Sequence, residues 1–346
     1  MTERTALESE IAEQPAVVAR LLDRLRPELA GYADLLRSHG SERALLVARG
    51  SSDNAATYAR YLWEPWLPAT LAAPSLTTVY GGAGDSPGLR RAAVVAVSQS
   101  GRSPDVVGVV EQARAAGRPT LAVTNDPGSP LAEAADAVLD LGCGPERSVA
   151  ATKTFTASLV ALAALATALG DPRGADLDRL PDALAAAVLA TGVDAAVDVV
   201  APHDRGVAVG RGYNLATAHE TALKLTELTG SLVVPFSPAD LMHGPVGAVG
   251  PNTPALLIAP PEPGTASVLE VAPDLLRRGA PVVVLGRVPV DGAAAHVVPP
   301  PEADVADWLT PVVAVVPGQL LAWRVAQARG VEVDRPGGLS KVTLTT

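Results

Sequence analysis

Cysteine is nearly missing from this chain: among 346 residues there is one, Cys143. That excludes an internal disulfide framework, leaves no thiolate metal site, and fits a reducing compartment. Aromatic residues are scarce, at 3%, so the core has to be packed from small aliphatics and little material exists for base-stacking platforms. Clusters of Lys and Arg are lacking too, and the net charge is −10. Nucleic-acid binders need a basic patch to displace counterions, so no nucleic-acid partner is expected. The longest apolar stretch read from the sequence, Ala157 to Leu169, falls short of the ~20 residues of a membrane span and is Ala-rich like a buried helix, so no membrane partner is expected. Met1 to Arg20 carries charges throughout and has no apolar segment of the signal-peptide kind, which makes the cytoplasm the expected location. No group of His, Asp and Glu has ligand spacing, so neither a metal nor another cofactor is expected.

What the chain does have is apolar bulk, with 48% hydrophobic and 18% charged residues. Its length suits two domains of roughly 150 residues each, and an internal repeat supports that division. Arg43, Val47, Arg49 and Gly50 recur as Arg205, Val209, Arg211 and Gly212, each pair 162 positions apart. The same offset relates Gly117 and Pro119 to Gly279 and Pro281, and the apolar run Val94–Val97 to Leu256–Ala259. Each copy reads as apolar strand, glycine-containing loop, helix, strand, helix and strand, the order of a doubly wound parallel α/β sheet flanked by helices. The expected division is a helical extension over 1–40, a first domain over 41–170, a second over 180–330 and a tail over 331–346, joined through the Gly, Pro and Asp residues of Gly170–Arg179.

In such sheets ligands bind at the carboxyl ends of the strands. Two serine-rich loops follow apolar strands in the first copy, Arg49-Gly50-Ser51-Ser52 and Ser98-Gln99-Ser100-Gly101-Arg102-Ser103. Hydroxyls and free amides running into a helix start can hold a phosphate without a metal. Ser103 is expected to cap the following helix, with Pro104 in its first turn and Asp105 favoured by the helix dipole. The aligned loop of the second copy reads Pro260-Pro261-Glu262-Pro263, which lacks hydroxyls and most free amides, so one anion site is expected rather than two. No glycine-rich nucleotide motif is present.

In the second copy Glu220, Lys224 and Glu227 are spaced to share one helix face. His243 follows in Asp240-Leu-Met-His243-Gly-Pro245, and Lys341 closes the segment Gly-Gly-Leu-Ser340-Lys341. Taken alone, the three charges read as an ordinary solvated ion-pair face.

Taken in order, EIAEQP from Glu10, RGSSDNAATYARY from Arg49, SQSGRSPD from Ser98, SVAATKTFT from Ser148, ETALKLTEL from Glu220, DLMHGP from Asp240 and VDRPGGLSKVT from Val333 resemble the double SIS (sugar isomerase) module. That module forms the isomerase half of glucosamine-6-phosphate synthase (glutamine–fructose-6-phosphate aminotransferase), SIS-type glucosamine-6-phosphate deaminases and related deglycases. The resemblance implies two tandem SIS domains and a phosphorylated amino sugar as substrate. By it, Ser52, Ser98, Gln99, Ser100 and Ser103 would hold the sugar phosphate, with Val149 and Ser340 lining the pocket. Glu227 would move the proton between C1 and C2, and Lys224 would handle the hydroxyl proton. His243 would assist ring opening and reach a neighbouring subunit's site, implying a homodimer. Lys341 would stand by the sugar carbonyl.

Within the family, glutamine-driven synthesis needs a glutaminase domain with an N-terminal cysteine nucleophile. This sequence begins Met1-Thr2 and keeps its cysteine internal, so glutaminase activity is not expected. The loop Gly101-Arg102-Ser103-Pro104-Asp105 is similar to deaminase-type members. The expected reaction turns glucosamine 6-phosphate, or a close relative, into fructose 6-phosphate and ammonia. A deglycase of fructosamine-type 6-phosphates, a glutaminase-lacking isomerase and a non-catalytic phosphosugar sensor stay open as alternatives.

Overall fold

Seven consecutive residues, Ala92–Ser98, are all buried, as expected of a central parallel strand covered by helices on both faces. A computed structural model describes residues 4–75, 87–338 and 340–341. The chain divides into two compact units, one built from 16–146 and 153–177, the other from 4–15, 147–152 and 178–341. The last residues of the expected tail, 342–346, and Leu339 lie outside the described residues.

Two helices, α1 (Ala6–Leu25) and α2 (Leu29–Arg37), precede the first sheet. Then follow β1 (Arg43–Ala48), α3 (Ser51–Leu62), β2 (Ala69–Leu71), β3 (Ala92–Ser98), α4 (Pro104–Ala115), β4 (Thr120–Thr124), β5 (Ala137–Asp140) and α5 (Lys153–Ala168). The sheet order is β2-β1-β3-β4-β5 with every pair parallel. Val47, Val94 and Ala96 pack with Val106, Val110 and Leu131 on one face. Helix α5 is buried from Lys153 to Ala166, and the Trp63 indole donates to its Leu162 carbonyl at 2.9 Å.

The second series is α6 (Leu180–Ala187), α7 (Val193–Val200), β6 (Arg205–Val209), α8 (Leu215–Thr229), β7 (Leu232–Phe236), β8 (Ala255–Ile258), β9 (Val282–Leu285), β10 (Ala295–Val297) and α9 (Thr310–Ala328). Its sheet order, β10-β9-β8-β6-β7, is the first order read from the other edge. β6 and β9 begin 162 positions after β1 and β4, so the sequence repeat is a structural one. The sequence shows three strands per copy, whereas the structure adds an edge strand on each side of both sheets. Ala69–Leu71 and Ala295–Val297 are three residues long, too short to carry a periodic pattern, and only pairing with a neighbour reveals them.

The longest apolar helix is not the one expected at Ala157–Leu169. A longer segment, Asp307–Ala328, is long and apolar enough to cross a membrane by length and composition, but 83% of its apolar window is buried inside the protein. It is a core helix whose apolar run is masked in sequence by Pro311, Pro317 and Gln319. Helix α9 makes its most extensive contact with α8. A Cβ at Gly318 would lie 2.4 Å from Thr221 Oγ1 and 3.1 Å from Thr221 Cβ, so the close approach of the two helices requires glycine there. Gly318→Val is expected to lower unfolding stability by about 1–3 kcal/mol through overpacking, read from urea denaturation. An unchanged midpoint would contradict this packing.

Candidate active site

β1 and β3 are neighbours whose chains continue to opposite sides of the sheet, and the loops leaving such a switch point are where open α/β sheets take ligands. Both serine loops of the first unit leave from there. Gly101, at φ +61, makes the turn after β3, and a Cβ on it would lie 2.0 Å from Ser129 Oγ. The turn folds the loop on itself. Ser98 Oγ accepts from the Gly101 amide at 3.1 Å, and Ser100 Oγ accepts from the Arg102 amide at 3.4 Å. In both cases the hydroxyl proton is left over to be donated elsewhere.

Ser103 occupies the cap position of α4 with extended backbone, and Pro104 sits in the first turn as expected. The expected capping hydrogen bond is not made, which leaves the Ser103 hydroxyl unspent by the helix. Asp105 does serve the helix start, accepting from the Val106 amide at 2.8 Å. Its other oxygen has a task not visible in the sequence: it accepts from Arg49 Nε at 2.8 Å and Nη2 at 2.6 Å. With Asp105 1% exposed, this pair ties the Arg49–Ser52 loop to the Ser98–Ser103 loop. Ser52 is half-buried in the first turn of α3, and Gln99 and Ser100 are half-buried at the end of β3. The Arg102 guanidinium donates to Asp126 at 2.9 Å, which accounts for its charge without a ligand.

In the second unit, α8 starts immediately after the β6 loop and presents Glu220, Lys224 and Glu227 on one face. Lys224 Nζ lies 3.4 Å from Glu220 Oε1, with both side chains at 1% exposure or less. It donates to Glu227 Oε2 at 2.5 Å, and Glu227 is 26% exposed. A solvated ion-pair face would leave all three in water. Here the row runs inward from the carboxylate that meets solvent, through a buried ammonium, to a buried carboxylate.

Val149 belongs to the same compact unit as α8, although it falls within the 41–170 stretch expected to form the first domain. Its amide donates to the Asp334 carbonyl at 3.3 Å. The Asp334 carboxylate accepts from the Ala6 and Leu7 amides at 2.8 and 2.9 Å, capping α1. Glu10, 3% exposed, accepts from the Arg147 and Ser148 amides. The start of α1, the 147–149 segment and the stretch leading to Ser340 and Lys341 are therefore bonded to one another. Sequence reading marked these segments as motifs but assigned no role to Glu10 or Asp334, because partners 137 and more residues apart leave no local pattern. Lys341 is half-buried and Ser340 exposed. His243 is exposed on the turn that ends the short helix Pro238–Met242, and among the described residues no hydrogen bond joins its ring to α8.

In the second unit the loop after β8 borders a small pocket whose lining includes Pro260, Pro261, Pro299, Val313 and Pro317. Prolines supply no N–H, so this counterpart of the serine loop offers a phosphate little to bond. Cys143 is buried, and burial pushes its thiol up to about 12, which leaves it unreactive. Among the described residues no group of three or more His, Cys, Asp and Glu is placed to hold a metal ion.

The family model for the SIS domain matches residues 39–168 and 201–297, the stretches that hold the two sheets. A glutamine–fructose-6-phosphate aminotransferase of Mycobacterium tuberculosis is 32% identical over 360 residues, covering 96% of this chain and 56% of that protein. The chain thus spans about half the length of the curated relatives it matches. A solved structure from Silicibacter pomeroyi, provisionally assigned as a phosphosugar isomerase, superposes with a TM-score of 0.84 at 34% identity, covering 96% of this chain and 99% of that one. Glucosamine-6-phosphate deaminase of Thermotoga maritima superposes with a TM-score of 0.74 at 20% identity, covering 99% and 100%, a likeness of fold alone.

Proposed function

The chain belongs to the SIS domain family, and from that premise we propose that it is a phosphosugar-isomerising enzyme that deaminates an amino-sugar phosphate, glucosamine 6-phosphate or a close relative, to fructose 6-phosphate and ammonia. The observation that carries the reading is the α8 row, in which Glu227 alone meets solvent while a buried ammonium holds it at 2.5 Å. A carboxylate oriented in this way is equipped to take a proton from carbon and return it next door.

In this reading Ser52, Ser98, Gln99, Ser100 and Ser103 hold the phosphate, and Val149 and Ser340 line the sugar. His243 assists ring opening, and Lys341 stands by the C1 carbonyl. Glu227 removes the C2 proton of the open aldose, leaving an enaminol, and Lys224 steadies the hydroxyl proton at O1. Return of the proton to C1 leaves an imine at C2. Water adds there, and collapse of the carbinolamine expels ammonia and leaves the ketose. No redox equivalent is needed. The enzyme works as a cytoplasmic homodimer, with His243 contributed across subunits. A second reading has support in the names of the curated relatives: the same groups run in reverse, adding ammonia to fructose 6-phosphate.

The deciding assay is ammonia release from glucosamine 6-phosphate and, in parallel, galactosamine 6-phosphate. Ammonia from one and not the other is expected. Amination of fructose 6-phosphate without detectable release would favour the second reading, and activity in neither direction despite sugar-phosphate binding would overturn both.

A further inference from the structure

The second copy's counterpart of the phosphate site is filled from within. By the 162-residue offset, Asn214 stands where the first copy has Ser52, Glu262 where it has Ser100, and Thr310 where it has Ser148. Asn214 and Glu262 follow β6 and β8, the pair at the switch point of the second sheet. The three side chains at these positions of the second copy bond to one another.

Thr217 Oγ1 donates to Asn214 Oδ1 at 2.7 Å. That fixes the amide, whose Nδ2 donates to Thr310 Oγ1 at 2.8 Å. Thr310 Oγ1 lies 2.7 Å from the Asp307 carbonyl and 3.0 Å from Glu262 Oε2. A hydroxyl has one proton to give. Given to the closer acceptor, that proton goes to the Asp307 carbonyl. An ionised Glu262 would then set a lone pair against a lone pair. With a proton on Oε2, every group is satisfied: Glu262 donates to Thr310, Thr310 donates to Asp307, and Thr310 accepts from Asn214. Asn214, 0% exposed, is also the cap residue of α8.

We propose that Glu262 carries a proton and, through Thr310 and Asn214, latches the start of the helix bearing Glu220, Lys224 and Glu227, acting as a positioning residue. Its link to turnover rests on the function proposed above; the latch itself does not. Burial pushes the Glu262 carboxyl from the ordinary 4.5 up to about 7, Asp307 adds to the rise, and the polar Thr310 and Asn214 side chains, which favour the ionised form, oppose it. The other charged groups nearby are Arg211, whose stem runs past Gly264 beside Glu262 Oε1, and Arg287 and Asp304, which pair with each other on the pocket wall. Among the described residues no cation is bonded to Glu262.

The folded carboxyl holds its proton more tightly than the unfolded one. The latch therefore contributes fully below about pH 4.5 and is lost as pH rises through about 7. The test compares wild type with Glu262→Gln, whose amide can donate to Thr310 at any pH, and with Glu262→Ala, which cannot. Melting temperatures are measured between pH 5.5 and 8.5, with hydrogen exchange of the first α8 turn at each end. The advantage of Glu262→Gln over wild type is expected to be smallest at pH 5.5 and to grow by several degrees by pH 8.5, with slower exchange of that turn at pH 8.5. Glu262→Ala should melt lower than Glu262→Gln throughout. A Glu262→Gln protein less stable than wild type at pH 8.5, or offset by the same amount at every pH, would overturn the latch. In the kinetic arm, turnover of Glu262→Gln should stay within about twofold of wild type at pH 6 and fall less above pH 7. An identical pH profile for the two proteins would overturn the link to α8. Wild type inactive on amino-sugar phosphates would instead count against the proposed function, with the melting arm still decisive for the latch.

Discussion

Glu227→Gln is expected to lower turnover by roughly 10²- to 10⁴-fold, the usual worth of a positioned general base, while leaving sugar-phosphate affinity close to wild type. The glutamine amide keeps the volume and can still accept from Lys224 Nζ, which lies 2.5 Å from the carboxylate, so the fold has no reason to respond. What it cannot do is take a proton from carbon. Two measurements separate the roles: turnover in the coupled ammonia assay, and incorporation of solvent deuterium at C1 of the product. Both should collapse together, with binding by calorimetry retained. Unchanged turnover would place the base elsewhere, and lost binding with normal turnover per bound substrate would make Glu227 a substrate contact instead.

The second large effect is on stability. Lys224→Met removes an ammonium, 1% exposed, that lies 3.4 Å from the fully buried carboxylate of Glu220. Methionine fills a similar volume, so packing is roughly conserved, but Glu220 is left as a buried charge without that cation. Breaking a buried pair from one side costs about 3–5 kcal/mol. Urea denaturation should show a loss of that order. The double variant Glu220→Gln/Lys224→Met removes both buried charges and is expected to regain a large part of it, a coupling measured by the double-mutant cycle. A single variant within about 1 kcal/mol of wild type would mean that Glu220 is already neutral in the folded protein.

These predictions, and the Glu262 latch, rest on residues that sequence reading treated very unevenly. Glu227 and Lys224 were legible through their spacing on a helix and through the family motif around them. Glu262 was legible only as a missing serine. Its position in the aligned loop explained why a phosphate would not bind there, but not that its carboxyl takes the vacant place. That depends on Thr310 and Asn214, 48 residues away on either side. The Arg49–Asp105 bridge joins residues 56 apart. Asp105 read as a helix-dipole residue because that is the role its neighbours in sequence suggest.

By itself the sequence determined the duplicated α/β plan, because the core strands are unbroken apolar runs and the 162-residue offset recurs across both copies. It also determined which copy keeps the serine loop, since proline removes amide donors wherever it falls. Tertiary structure alone decided which charges are buried, which edge strands complete each sheet, and that α9 is a core helix rather than an interrupted apolar run. The physical reason is common to all three. Burial, pairing and helix continuity past a proline are set by what packs alongside, and those partners are distant in the chain.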